Sequence, residues 1–125
     1  MEHLNASSLL PDTLPFSEGV RIGDMVYLSG CMGTVPGTAT LVDGGLEAEA
    51  RQTMTNIKTV LEANGLAMRN IVKCTVMLAD MADWPAFNEI YVSFFDRPYP
   101  ARSAFGANGL ALGGRVEVEC IAAIT

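Results

Sequence analysis

Two stretches of this chain repeat apolar side chains at helical spacing, and the segments around them read as strands. Leu46, Ala50, Met54, Ile57 and Leu61 recur every three or four residues, which is the stripe of an amphipathic helix. Glu47 and Glu49 suit its positive N-terminal end, and Asn64-Gly65 supplies a stop. Trp84, Phe87, Tyr91 and Phe94 form a second stripe, read as core, with Asp83 as its N-cap and an end near Phe95. Between the helices, Ile71 to Leu78 is a strand. Val72, Cys74, Val76 and Leu78 share one face, with Ile71, Lys73, Thr75 and Met77 on the other. Phe16 to Ile22 and Met25 to Ser29 are strands joined by a tight turn at Gly23-Asp24. Ser103 to Ala107 and Arg115 to Ala123 close the chain. Residues 1–14 read as an irregular lead-in, and the glycine-rich stretch Gly30 to Gly45 as a loop with room for a short strand. The order ββ–α–β–α–ββ predicts an α+β sandwich, one sheet carrying both helices on a single face.

Such a sheet leaves its second face bare. Lys73, Thr75, Met77, Glu117, Glu119, Ile121 and Ala123 would lie there, a set too apolar for open water. Packing against further copies of the chain in a closed ring is the simplest way to bury it. Composition agrees, since 50% of residues are hydrophobic and only 18% charged, more apolar than an ordinary soluble monomer. No apolar run approaches the roughly 18 residues of a membrane helix, and the N-terminus does not read as a signal peptide. The expectation is one domain spanning residues 1–125, assembled as a homo-oligomer with clefts between subunits.

The formal net charge is −6, with only 8 basic residues scattered singly. A nucleic-acid binder, which draws affinity from lysine and arginine on phosphate, is therefore not expected. Cys31, Cys74 and Cys120 form no CxxC pair, and His3 is the one histidine. Neither a metal site nor a disulfide framework follows from that set, and reduced thiols point to the cytoplasm.

Chemistry concentrates near the C-terminus. Arg102 follows Pro98 and Pro100 at the start of a strand, and its planar fork of donors suits a carboxylate. Read by residue type alone, it serves equally as a surface arginine or a structural partner for Glu117. Glu117 and Glu119 flank Val118 on one strand face. Either could be an ordinary solvated acid, but burial between subunits would raise its pKa and suit it to proton transfer. Asn88 reads as a polar position on the second helix. Ser29-Gly30 could admit a ligand close to the backbone or simply turn the chain. Cys31 has no cation nearby in sequence to activate it and reads as a structural thiol, as do Cys74 and Cys120.

Several ordered motifs bring a family into view. They are Leu14-Pro15-Phe16-Ser17, Tyr27-Leu28-Ser29-Gly30, Ala50 to Lys58, Ile71 to Val76, Phe87 to Phe95, Pro100-Ala101-Arg102-Ser103 and Val116-Glu117-Val118-Glu119. With them, nearly the whole chain resembles the YjgF/RidA family of reactive-intermediate imine/enamine deaminases, also called endoribonuclease L-PSP or translation-inhibitor proteins. The resemblance implies a trimeric chorismate-mutase-like sandwich, one mixed β-sheet with two helices on one face and sites between adjacent subunits. It implies that Arg102 grips the substrate carboxylate and that Glu117 positions and activates water. Ser29, Gly30 and Asn88 would line the pocket, together with Phe16 and Cys31. The implied reaction turns 2-imino or 2-enamine acids, such as 2-aminoacrylate, into 2-keto acids and ammonia, with no cofactor. Phe16, Cys31 and Ala104 stand where well-characterised members carry tyrosine, glutamine and cysteine, and Leu110-Ala111 replaces Leu-Pro, so the pocket wall differs. Two rival readings are a non-catalytic binder of carboxylate metabolites in the same clefts and, against the acidic balance, a ribonuclease or translation inhibitor.

Overall fold

The computed structural model describes residues 1–125. Its strands are β1 (Glu2–Leu4), β2 (Gly19–Ile22), β3 (Met25–Leu28), β4 (Ile71–Leu78), β5 (Ala101–Gly106) and β6 (Val116–Ala123), and its helices are α1 (Gly45–Ala63) and α2 (Trp84–Val92). They form one six-stranded sheet in the order β1-β2-β3-β6-β4-β5. Every pairing is antiparallel except β4 with β5. Parallel neighbours need a crossover, and α2 supplies it. The five stripe residues of α1 are all buried, together with Val26, Cys74, Val76, Leu78, Val116, Val118, Cys120 and Ala122 from the sheet. Both helices thus cover one face of a mixed sheet, as the element order predicts.

The departures are local and have physical reasons. Residues 1–14 are not wholly irregular, because Glu2–Leu4 pairs with Gly19–Arg21 and buries Leu4, covering an otherwise open edge of β2. The strand expected from Phe16 begins only at Gly19. The loop from Gly30 makes two isolated bridges, Cys31 to Val118 and Thr34 to Leu41. The alternation expected for β4 fails at its start. A register shift between Ile71 and Lys73 turns Val72 outward and buries Ile71, since one extra residue in a strand reverses every side chain before it. Asp83 does not cap α2 with its side chain. Its carboxylate instead accepts from the Arg115 guanidinium at 2.8 Å, while Asp80 caps the preceding turn through the Ala82 N–H at 2.9 Å. Trp84 is exposed rather than core, whereas Phe87 and Tyr91 are buried. β5 begins at Ala101, not Ser103.

The face away from the helices stays open in the single chain. Ile22, Tyr27 and Phe105 are 55%, 45% and 47% exposed there, beside half-buried Met77, Ile121 and Ala123. No helix is long and apolar enough to cross a membrane.

Candidate active site

β3 ends at Leu28, and the chain then leaves β2 to pair Cys31 with Val118 through backbone bonds of 2.8 and 2.9 Å. This divergence opens a cavity of about 270 Å³ between α1, the segment from Leu9 to Glu18 and the turn at Ala111-Leu112. Phe16, Ser29, Gly30, Cys31 and Glu117 all line it. Gly30 sits directly against the Glu117 carboxylate, and a Cβ at that position would overlap Oε2. Glycine is therefore what lets the acid lie flat against the backbone here. Glu117 is half-buried and has no ion-pair partner. Burial pushes its carboxyl above the usual range, and the neighbouring charge of Glu119 adds to the rise. Glu119 itself is exposed and does not line the cavity, so of the two acids Glu117 is the one the cavity contains.

The other wall residues are chemically quiet. Ser29 Oγ donates to the Ser17 carbonyl at 2.6 Å. Burial, with the charges of Glu117 and Glu18, pushes the Cys31 thiol up to about 12. At neutral pH it is protonated and is no nucleophile.

Arg102 lies elsewhere. It pairs in register with buried Cys74, whereas Glu117 pairs with Met77, and residues an odd number apart on β4 point to opposite faces. Within one chain Arg102 and Glu117 are thus on opposite sides of the sheet, and the structural pairing weighed from sequence does not form. The Arg102 guanidinium rests on α2, 4.8 Å from the Tyr91 ring centroid and 5.9 Å from that of Trp84. No carboxylate lies within ion-pair distance of it. Asn88 falls between these aromatics at helical spacing and shares their side of α2. Its Oδ1 and the Tyr91 hydroxyl are buried without hydrogen-bond partners, an arrangement that costs stability unless something else satisfies it. A cation held over aromatic rings, with its donors unclaimed by any acid, is ready for two-pronged capture of a carboxylate. The roles of Trp84 and Tyr91 as this platform were missed from sequence. Their only signal was the helical stripe, which reads equally as core.

The expected site residues therefore fall into two groups, Phe16, Ser29, Gly30, Cys31 and Glu117 at the cavity and Arg102 with Asn88 beside α2. No three His, Cys, Asp or Glu side chains converge anywhere. The three cysteines are free, with Cys74 and Cys120 in sulfur contact at 3.4 Å.

Residues 8–124 match the family described as endoribonuclease L-PSP. The 2-iminobutanoate/2-iminopropanoate deaminase of Capra hircus is 44% identical over 108 residues, covering 86% of this chain and 79% of that protein. The crystal structure of RidA from an Antarctic Psychrobacter superposes with a TM-score of 0.92 at 35% identity, over 99% of this chain and 100% of that one. Escherichia coli TdcF, solved with bound serine, superposes with a TM-score of 0.91 at 30% identity over the whole of both chains.

Proposed function

The chain belongs to the endoribonuclease L-PSP family, and from that premise we propose that it hydrolyses small 2-imino and 2-enamine acids to 2-keto acids and ammonia. The observation that carries the reading is Glu117, an unpaired acid with a raised pKa at the wall of a cavity. An imine carbon is already electrophilic, so the protein needs only to hold the acid and deliver water. The Arg102 guanidinium binds the substrate carboxylate through paired hydrogen bonds and fixes its orientation. With the imine nitrogen protonated, the Glu117 carboxylate takes a proton from water as the oxygen attacks the carbon. The C=N π pair moves onto nitrogen, giving a neutral tetrahedral amino alcohol. The carboxyl then returns that proton to the nitrogen. As the C–N bond breaks, the hydroxyl proton passes to the regenerated Glu117 carboxylate, and the keto acid and ammonia leave.

Arg102 and Glu117 lie on opposite faces of one sheet, so one chain does not complete the site. We propose a homotrimer with its open sheet faces turned inward. In it Arg102 and Asn88 of one subunit meet Glu117, Phe16, Ser29, Gly30 and Cys31 of the next. The exposed Ile22, Tyr27 and Phe105 support this assembly. Three free thiols suit a reducing compartment such as the cytoplasm. The net charge of −6 disfavours action on RNA, whose phosphates call for a basic groove.

The test generates an imino acid in place with an amino-acid oxidase and follows its loss against spontaneous hydrolysis. Acceleration by the wild-type protein is expected. Arg102→Ala should lose about 2 kcal/mol or more of transition-state binding, at least roughly 30-fold in kcat/KM. No acceleration over buffer, or an Arg102→Ala protein as fast as wild type, overturns the proposal.

A further inference from the structure

The cavity beside Glu117 is far larger and more apolar than the smallest imino acids require. A ring the size of benzene fits an apolar cavity of about 150 Å³, and this one holds about 270 Å³. A methyl or ethyl side chain would leave most of it unfilled. Its depth is built from Leu9, Leu14, Leu28, Met32, Ile57 and Val60.

Nearly all the polar groups along its wall are already engaged. Asn56 Nδ2 donates to the carbonyls of Met32 and Thr34, both at 3.0 Å, and its Oδ1 accepts from Gln52 at 2.8 Å. The Glu18 carboxylate accepts from the N–H and the hydroxyl of Ser7. Ser29 is held by Ser17, and the Cys31 thiol is neutral. A polar side chain entering past Glu117 would lose water and gain little in exchange, while an apolar one would gain contact along its whole length.

Phe16 and Leu112 stand at the rim, 50% and 57% exposed. Leu112 holds a left-handed backbone at φ 62°, a conformation that leucine adopts only under constraint. An apolar side chain is thus kept at the mouth in spite of its backbone.

We infer that this site prefers 2-imino acids with bulky apolar side chains, such as isobutyl or benzyl, over 2-iminopropanoate, and that Leu112 and Phe16 help set the preference. The inference rests on the deaminase reading and names its substrate class. In a hydrophobic pocket one methylene is worth about 10-fold or more in discrimination. The leucine-derived imine should therefore exceed the alanine-derived one by at least about 10-fold in kcat/KM, each rate corrected for spontaneous hydrolysis. Leu112→Asn, which tolerates the left-handed backbone, should reduce that ratio with the thermal melt as a check on folding.

Calorimetry with two unreactive products, the keto acid of leucine and pyruvate, reads the same pocket without turnover. Equal or reversed rates for the two imines overturn the inference while leaving the deaminase reading intact. If neither imine is accelerated, the deaminase reading fails and calorimetry decides the pocket. Tighter binding of the leucine keto acid upholds the apolar ligand class, and equal or weaker binding ends it.

Discussion

Within one chain Glu117 has no ion-pair partner, and its environment makes two predictions. Burial first and Glu119 second raise its pKa, so kcat/KM should climb with pH through a limb lying above the ordinary glutamate value of about 4.3. Glu119→Gln removes the second cause and should move that limb to lower pH, read from the pH profile of the oxidase-coupled assay. An unmoved limb would mean that another group sets it. The same shift governs stability. The folded chain holds this proton more tightly than the unfolded chain, so stability falls as pH rises from the ordinary range through the raised pKa. Glu117→Gln should therefore raise Tm at alkaline pH and give no gain below about pH 4.3, while abolishing turnover. The acid itself was legible from sequence, because Glu117 and Glu119 stand two apart on a recognisable strand. Which of them meets the cavity was not, since that depends on where β3 parts from β2, and a backbone divergence leaves no mark in side-chain periodicity.

At the scale of elements, two glycines on one loop separate positioning from folding. The atoms nearest a Cβ at Gly30 belong to the side chain of Glu117, whereas one at Gly33 meets the backbone of Glu49, with its carbonyl oxygen at 2.5 Å and its Cα at 2.8 Å. Gly30→Ala should push the carboxylate aside, cutting kcat/KM while changing Tm little. Gly33→Ala must displace α1 and should cost about 1–3 kcal/mol of stability, measured by denaturant unfolding. Equal losses of stability would contradict this division. The helices were readable because each stripe runs through more than two turns. Val72 and Asp83 were misread for a different reason. A bulge depends on the partner strand, and Asp83 had two suitors, the α2 N-terminus and Arg115 across the fold. Trp84 shares its stripe with Phe87 and Tyr91 but is exposed while they are buried, a difference that periodicity alone does not carry.

For the whole molecule, the decisive fact is that Arg102 and Glu117 face opposite sides of one sheet. If subunits share sites, two inactive chains can repair each other. Arg102→Ala supplies an intact Glu117, and Glu117→Gln supplies an intact Arg102. When the two are unfolded, mixed in equal amounts and refolded, a closed ring draws the two halves of each site independently from the pool. About a quarter of the sites then carry both native residues. Activity should rise to roughly that share of wild type, although each variant refolded alone stays inactive. A site made within one chain predicts no recovery at any mixing ratio. The open sheet face supplies an independent handle, because Phe105 is nearly half exposed on it. Phe105→Glu would place a charge on the face that the proposed ring buries, at a position whose exposure in the single chain spares the core. That variant should sediment as a smaller species with its helical circular dichroism unchanged, and it should lose turnover even though its own Arg102 and Glu117 are untouched. A variant that dissociates and keeps full activity would show that one chain suffices.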